Sequence, residues 1–314
     1  MRSAIMRRSS DAIDDTESPP TDSFEQGSLK LNHTQAEDAE QGIWRRPSKK
    51  IRQTEGPVEL HFEIPAAKIL PPEKDNTNCK KYVNYELCVT HLRSPDAEPA
   101  LIERRYTNFL LLYNGLRKDH PAQMQSVYFP KKCLMGNFSP DLIAERGAAF
   151  EVFLDHIVSR WELKESLHFL NFLQSIELER ACRLLDERRN EQAVPILRNS
   201  FRLINMVFLD HSKPVLLLLC RLVAACTTSP LPHPDSEQYA EIALRRYESV
   251  CDTDLLSLYV PLLQTCTHLW WQKGRDNKLL EDRLRDLQKR GIKVSGTPTL
   301  TQAIHTLDPR AETT

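Results

Sequence analysis

Alternation of apolar and polar positions begins at Val58. In VELHFEI the side chains of Val58, Leu60, Phe62 and Ile64 fall on one face, which predicts a strand that Pro65 closes or marks as an edge. The turn-rich PPEKDNTN follows, and then Val83, Tyr85, Leu87 and Val89 alternate within Lys81 to Leu92, a second strand. After RSPDAEP, Ala100 to Tyr106 reads as a third. Short connections make an antiparallel three-stranded sheet the economical assembly. From Thr107 the period changes, and Phe109, Leu112, Tyr113 and Leu116 form a helical stripe. A loop containing Pro121 covers Asp119 to Tyr128. The next helix runs from about Ser139 to Ser159, with Ser139 as its N-cap, Pro140 at the first helical position, and Leu142, Phe150, Phe153, Leu154 and Ile157 turned inward. A shorter helix holds Leu167, Phe169, Leu170, Phe172 and Leu173. Strands followed by helices make an α+β unit.

Beyond Gln174 no strand-like alternation remains. The helical stretches come in pairs: Ile176 to Arg188 with Asn190 to Leu209, Lys213 to Cys226 with Asp235 to Val250, and Asp254 to Lys273 with Asp276 to Arg290. Three helix hairpins near the tetratricopeptide length predict a small all-α, TPR-like helical-hairpin domain. Residues 1–55 are polar and lack a periodic apolar pattern, so disorder is expected there. The resulting division is a disordered segment 1–55, an α+β domain 56–174, a helical domain 175–292 and a tail 293–314.

Composition narrows the function classes. The chain has 314 residues and a formal net charge of -1, so nucleic-acid binding through a global positive field is not expected, and any anion site must be a local cluster. None of its 8 cysteines lies in a C-x-x-C pair, and those in apolar stretches read as reduced core residues. The first residues lack the apolar core of a signal peptide. The most apolar stretch, Val215 to Cys226, is interrupted by Arg221 and too short to span a bilayer, which predicts a buried helix. Phosphate-loop, dinucleotide, serine-elbow and zinc-protease motifs are absent, and the histidines are scattered, so neither an enzyme nor a metal or cofactor site is expected. The run GIWRRPSKKIR, Gly42 to Arg52, reads as a solvated linker or as a basic surface that touches anionic lipid.

The informative stretch is ERRYTNF, Glu103 to Phe109, where the third strand meets the first helix. Strand alternation sends Arg104 and Arg105 to opposite faces, so the two cannot share one role. A guanidinium there offers bidentate hydrogen bonds to phosphate, and Tyr106 offers a ring face to a sugar-like ring. YFPKK, Tyr128 to Lys132, presents two lysines on a proline-stiffened loop. Glu145-Arg146 lies on the following helix, one turn before Phe150.

R-R-Y-x-x-F, then F-P-x-K, then E-R with a large apolar residue four positions on, placed on these elements in this order, resembles a PX domain from about Pro57 to Gln174. The helical remainder, the stretch F-P-K-K-x-L-x-G-N-F and the late T-P-T resemble the small sorting-nexin subfamily that joins PX to a TPR-like (PXB) domain. The resemblance implies that Arg105 binds the 3-phosphate of a phosphoinositide and Tyr106 supports the inositol ring. It further implies that Lys132 meets the 1-phosphate and Arg146 bonds the 4- and 5-hydroxyls or a further phosphate. Phosphatidylinositol 3-phosphate is the implied lipid, with more highly phosphorylated forms as alternatives. Here the loop from Asp119 to Tyr128 lacks the fuller proline-rich run of many PX domains, and Met124, Val127, Tyr128 and Phe129 are its apolar candidates for bilayer contact. The implied protein is a non-enzymatic adaptor on the cytoplasmic face of early endosomes, whose helical domain binds receptor tails or other cargo. Of the adjacent Trp270 and Trp271, about 100° apart on one helix, one is a candidate partner contact. The competing reading is a cytosolic protein-interaction scaffold whose PX fold does not bind lipid appreciably.

Overall fold

Leu60, Phe62 and Ile64 are buried in alternation along strand β2 (Leu60–Leu70), as their spacing predicts. The strand does not stop at Pro65. Its register with the next strand slips between Glu63 and Ala66, and the Ile64 N–H donates to Glu151 Oε1 at 2.8 Å. Proline has no N–H to give the ladder, so a bulge absorbs it and pairing resumes through Ala66–Leu70. Strands β3 (Tyr82–His91) and β4 (Ala100–Arg105) complete the antiparallel sheet expected from the sequence. A further strand, β1 (Ile43–Arg45), pairs antiparallel with β2, Ile43 opposite Lys68, and gives the order β1-β2-β3-β4. It lies within the segment read as disordered. Three residues are too few to show a period of two, and what recruits them is the row of backbone groups on the edge of β2.

This computed structural model describes residues 43–45, 60–71, 81–92, 98–133, 135–227, 232–248 and 253–308. Apart from β1, the expected disorder of 1–55 lies outside the described residues, as does most of the Trp44 basic run.

One sheet face packs on α1 (Tyr106–Asp119) and α3 (Pro140–Val158), with the short α2 (Pro121–Met124) and α4 (Trp161–Lys164) beside them. Phe109 of α1 and Phe150 of α3 stack at 3.9 Å between centroids and 2° between planes, and Tyr85 of β3 meets both edge-on. Ser139 caps α3, its hydroxyl accepting from the Leu142 N–H, with Pro140 in the first turn as predicted.

Helix α5 (Leu167–Asp186) runs without a break through the boundary placed at Gln174. Phe169 of its first half meets Phe62 of the sheet, while α5 as a whole packs on α6 (Asn190–Val207). The sequence suggested two helices because the packing partner changes there, but no Gly or Pro interrupts the backbone. Helix α6 also seals the free edge of β4. The Asn199 amide accepts from the Leu101 N–H at 3.2 Å and donates to the Leu101 carbonyl at 2.6 Å, doing what another strand would do. Arg202 of α6 donates to the Pro99 carbonyl and pairs with Glu98. The two expected units are thus held together by polar contacts as well as by a shared helix.

Helix α7 (Lys213–Thr227) is buried on every side from Val215 to Cys226. Among the described residues no helix is long and apolar enough to cross a membrane. The hairpins continue through α8 (Ser236–Tyr247), α9 (Thr253–Leu256), α10 (Tyr259–Gln272) and α11 (Lys278–Lys289), the fifth predicted helix being divided into α9 and α10. The segment expected as a tail from 293 instead contains α12 (Leu300–Leu307). Thr299 caps it, and Leu300, Ala303 and Ile304 are buried where it packs on α7 and α10. Its anchor is electrostatic. Arg221, the one charge in the apolar run of α7, donates to the carboxylate and the carbonyl of Asp308, at 3.0 and 3.1 Å. Asp308→Asn leaves the carbonyl contact but strips the counter-charge from a buried guanidinium. A loss of about 1–3 kcal/mol in urea unfolding is expected. An unchanged midpoint would remove the anchor role.

Burial pushes the thiols of Cys220 and Cys226 up from the ordinary 9.0 to about 12, and that of Cys266 higher still. Above pH 9 the unfolded chain releases these protons and the folded one keeps them, so stability falls as pH rises through that range. Residue-resolved alkylation at pH 8 should leave these three cysteines unlabelled in the native protein and labelled after denaturation. Native labelling at the denatured rate would contradict it.

Candidate anion-binding site

Arg104 and Arg105 leave β4 on opposite faces, as its alternation requires. Arg104 is 1% exposed and faces the core. Arg105 is exposed and is the N-cap residue of α1, in extended conformation, with its N–H donating to Asn108 Oδ1 at 2.9 Å. That closed turn ends the strand and puts Tyr106 in the first helical turn. The Arg105 guanidinium lies 5.6 Å from the Tyr82 ring centroid. Glu103, two residues earlier on the same face, is engaged by Asn84 at 2.8 Å and Lys68 at 3.2 Å. Among the described residues Arg105 forms no ion pair.

Tyr106 ties three elements together. Its hydroxyl donates to the Pro130 carbonyl at 2.8 Å, its ring packs on Phe129 and Phe150, and the Arg146 guanidinium lies over that ring at 4.5 Å. Burial raises the Tyr106 phenol, against the pull of Arg146. Phe129 anchors the loop before the lysines by stacking on Tyr113 at 4.6 Å, and Pro130 is buried behind it. With its root fixed, the loop presents Lys131 and Lys132 exposed to solvent. Of the apolar residues expected to face a bilayer, Met124 is buried and Phe129 packs inward against Tyr113 of α1 and Phe153 of α3. Tyr128 is 65% exposed, and Met135, beyond the lysines, is 87% exposed.

Arg146 sits on α3 and is only 3% exposed. Its Nη2 donates to the Lys131 carbonyl at 3.2 Å and to Asn137 Oδ1 at 3.0 Å, while its Nε has no hydrogen-bond partner among the described residues. The Tyr85 phenol beneath is pushed up to about 12, mainly by burial and against the nearby Arg146 charge. The fold therefore joins Tyr106, Arg146 and the lysine loop by direct contact, with Arg105 one residue from Tyr106 along the chain.

Three neighbours escaped the sequence reading. Tyr82 underlies Arg105, Lys81 Nζ lies 4.7 Å from the Phe138 ring centroid, and Asn137 holds Arg146. Alternation in β3 carried the signal for Tyr82, since Val83 and Tyr85 inward leave Tyr82 and Asn84 outward. The helical part offers different features. Trp270 is buried under Arg275, and Trp271 is 69% exposed, stacked against His268. A cavity of about 890 Å³ lies among α5, α6, α7 and α12, lined by Leu185, Leu197, Ala225 and Ile304 among others. No group of three or more His, Cys, Asp or Glu residues among the described ones is arranged to hold a metal.

Comparison with known proteins bears on both parts. Residues 92–176 match the family described as PX domain. Human sorting nexin-21 is 31% identical over 258 residues, 82% of this chain and 66% of that protein. Mouse sorting nexin-21 is 30% identical over 289 residues, 91% of this chain and 74% of the relative. Bovine sorting nexin-20 is 30% identical over 277 residues, 86% and 82% of the two chains. This chain thus spans just under two thirds of the human relative's length. With similarity running from the PX match through the helical hairpins, the chain belongs to the PX-domain sorting nexins, in the small subfamily that contains sorting nexins 20 and 21.

Proposed function

We propose that the chain is a phosphoinositide-binding adaptor of endosomal protein trafficking. Residues 56–174 recognise the lipid, and residues 175–292 bind receptor tails or other cargo. The observation that carries the reading is Arg146, a buried guanidinium with no carboxylate partner among the described residues, stacked on Tyr106 and bonded to the loop that carries Lys132. Such a charge, deprived of water and left without a counter-ion, favours an anionic ligand.

In this reading Arg105, exposed and without an ion pair among the described residues, takes the 3-phosphate through its planar fork. The inositol ring lies along Tyr106, Lys132 meets the 1-phosphate from its exposed loop, and Arg146 bonds the hydroxyls at positions 4 and 5. Tyr128 and Met135 flank the lysines and touch the bilayer. Phosphatidylinositol 3-phosphate on early endosomes is the proposed lipid. A single headgroup site gives only modest residence, so cargo held by the helical part supplies the second contact. Trp271 is its proposed aromatic anchor, being large, exposed and on the outer side of α10.

Sedimentation with phosphatidylcholine vesicles, with and without phosphatidylinositol 3-phosphate, tests the lipid half. The protein should pellet only with the phosphoinositide, and Lys132→Ala should weaken binding roughly tenfold, the worth of about one charge-assisted contact. Equal behaviour on both vesicle types would sink the reading and leave a protein-interaction scaffold.

A further inference from the structure

Of the three buried arginines among the described residues, two have carboxylate partners. Arg104 is gripped by both oxygens of Glu177, and Arg221 pairs with Asp308. Arg146 has an amide in that place. Among the described residues its surroundings are the Asn137 side-chain oxygen, the Lys131 carbonyl, the Tyr106 ring and the nearby Tyr85 phenol, and every one is neutral. These contacts supply hydrogen bonds and a π-face without cancelling the charge.

The amide acts on two elements at once. A guanidinium only donates, so Asn137 must turn Oδ1 toward Arg146. Its Nδ2 is then free to donate to the Cys133 carbonyl, at 2.8 Å. The Lys131 and Cys133 carbonyls flank Lys132, and one is bound by Arg146, the other by Asn137. An aspartate would pair with the guanidinium, lose the donor to Cys133, and cancel the local charge.

We propose that Asn137 is a positioning residue of the lipid site. Its neutral amide fixes Arg146 and the Lys131–Cys133 loop while leaving the arginine's charge uncancelled, to strengthen its hydrogen bonds to the headgroup hydroxyls and to attract the headgroup phosphates. This rests on the phosphoinositide reading above. A purely structural asparagine would be indifferent to that charge, whereas here charge and geometry have separate effects. Asn137→Ala removes both hydrogen bonds but keeps the positive charge. Asn137→Asp keeps a partner for Arg146 but neutralises it.

The full chain and both variants are to be compared for thermal unfolding and for binding to vesicles containing phosphatidylinositol 3-phosphate. Soluble inositol 1,3-bisphosphate serves as a bilayer-free arm. Expected affinities run parent, then Asn137→Ala, then Asn137→Asp, the last lower than the parent by at least about tenfold. Expected melting temperatures place Asn137→Asp above Asn137→Ala, so affinity and stability rank the two variants in opposite order. The proposal is overturned if Asn137→Asp binds as well as Asn137→Ala, or if both bind like the parent. If the parent binds neither ligand, the phosphoinositide reading falls and this one with it. Loss confined to vesicles, with soluble headgroup affinities unchanged, would also overturn it, by moving the role of Asn137 from headgroup to bilayer.

Discussion

Arg105→Ala should lose phosphoinositide-vesicle binding by on the order of a hundredfold, the equivalent of two charge-assisted hydrogen bonds at about 1.5 kcal/mol each. Its unfolding should stay within about 0.5 kcal/mol of the parent, as for surface substitutions generally. Both halves follow from the same fact: the side chain is exposed, pairs with no described carboxylate and rests near the Tyr82 ring, so the fold loses little without it. Arg105→Lys should recover only part of the affinity, because an ammonium cannot present the parallel pair of donors that matches a phosphate. In cells the alanine variant should disperse from endosomes. Punctate localisation persisting in that variant, with vesicle binding undiminished, would contradict the assigned role.

The neighbouring substitution should behave in the opposite way. Arg104 is 1% exposed and makes five hydrogen bonds: two to Glu177, at 2.6 Å each, and one each to the carbonyls of Phe172, Leu173 and Glu103. Its guanidinium lies 5.5 Å from the Phe172 ring centroid. It ties the end of β4 to α5, the helix shared by the sheet and the hairpins. Arg104→Ala leaves the Glu177 carboxylate, on a side chain 14% exposed, without its partner. The expected cost is about 3–5 kcal/mol, the range for breaking a buried pair from one side. Against a typical total of about 5–15 kcal/mol this is a large fraction. Urea unfolding reads it directly, and the double variant Arg104→Met with Glu177→Met should recover part of the loss because no lone charge remains. A single-variant cost below about 1 kcal/mol would refute the tie. Phosphoinositide affinity measured well below the unfolding range should change far less than in Arg105→Ala.

That contrast between adjacent arginines was legible in the chain itself. The period of two in β4 assigns opposite faces to residues 104 and 105 whatever the fold around them. The same local reasoning located the helical stripe of Phe109, Leu112 and Leu116, the Ser139-Pro140 start of α3, and the burial of Val215 to Cys226 despite Arg221. It faltered where a feature is short or where its cause lies elsewhere in the chain. The strand β1 exists because β2 has an edge to pair, and Pro65 sits mid-strand because a bulge absorbs it, with Glu151 of another element taking the Ile64 N–H that the bulge frees. Helix α12 holds its place through a charge 87 residues away in sequence.

The candidate site divides along the same line. Residue type and order along the chain determined which side chains have the chemistry to meet a phosphate, and which way those on regular elements point, because periodicity is a property of the local backbone. Only the tertiary structure decided that Arg146 is buried, that Tyr106 lies beneath it, and that an asparagine rather than a carboxylate holds it. Counter-charge and desolvation depend on which distant groups share a volume, and no pattern confined to neighbouring positions carries that information.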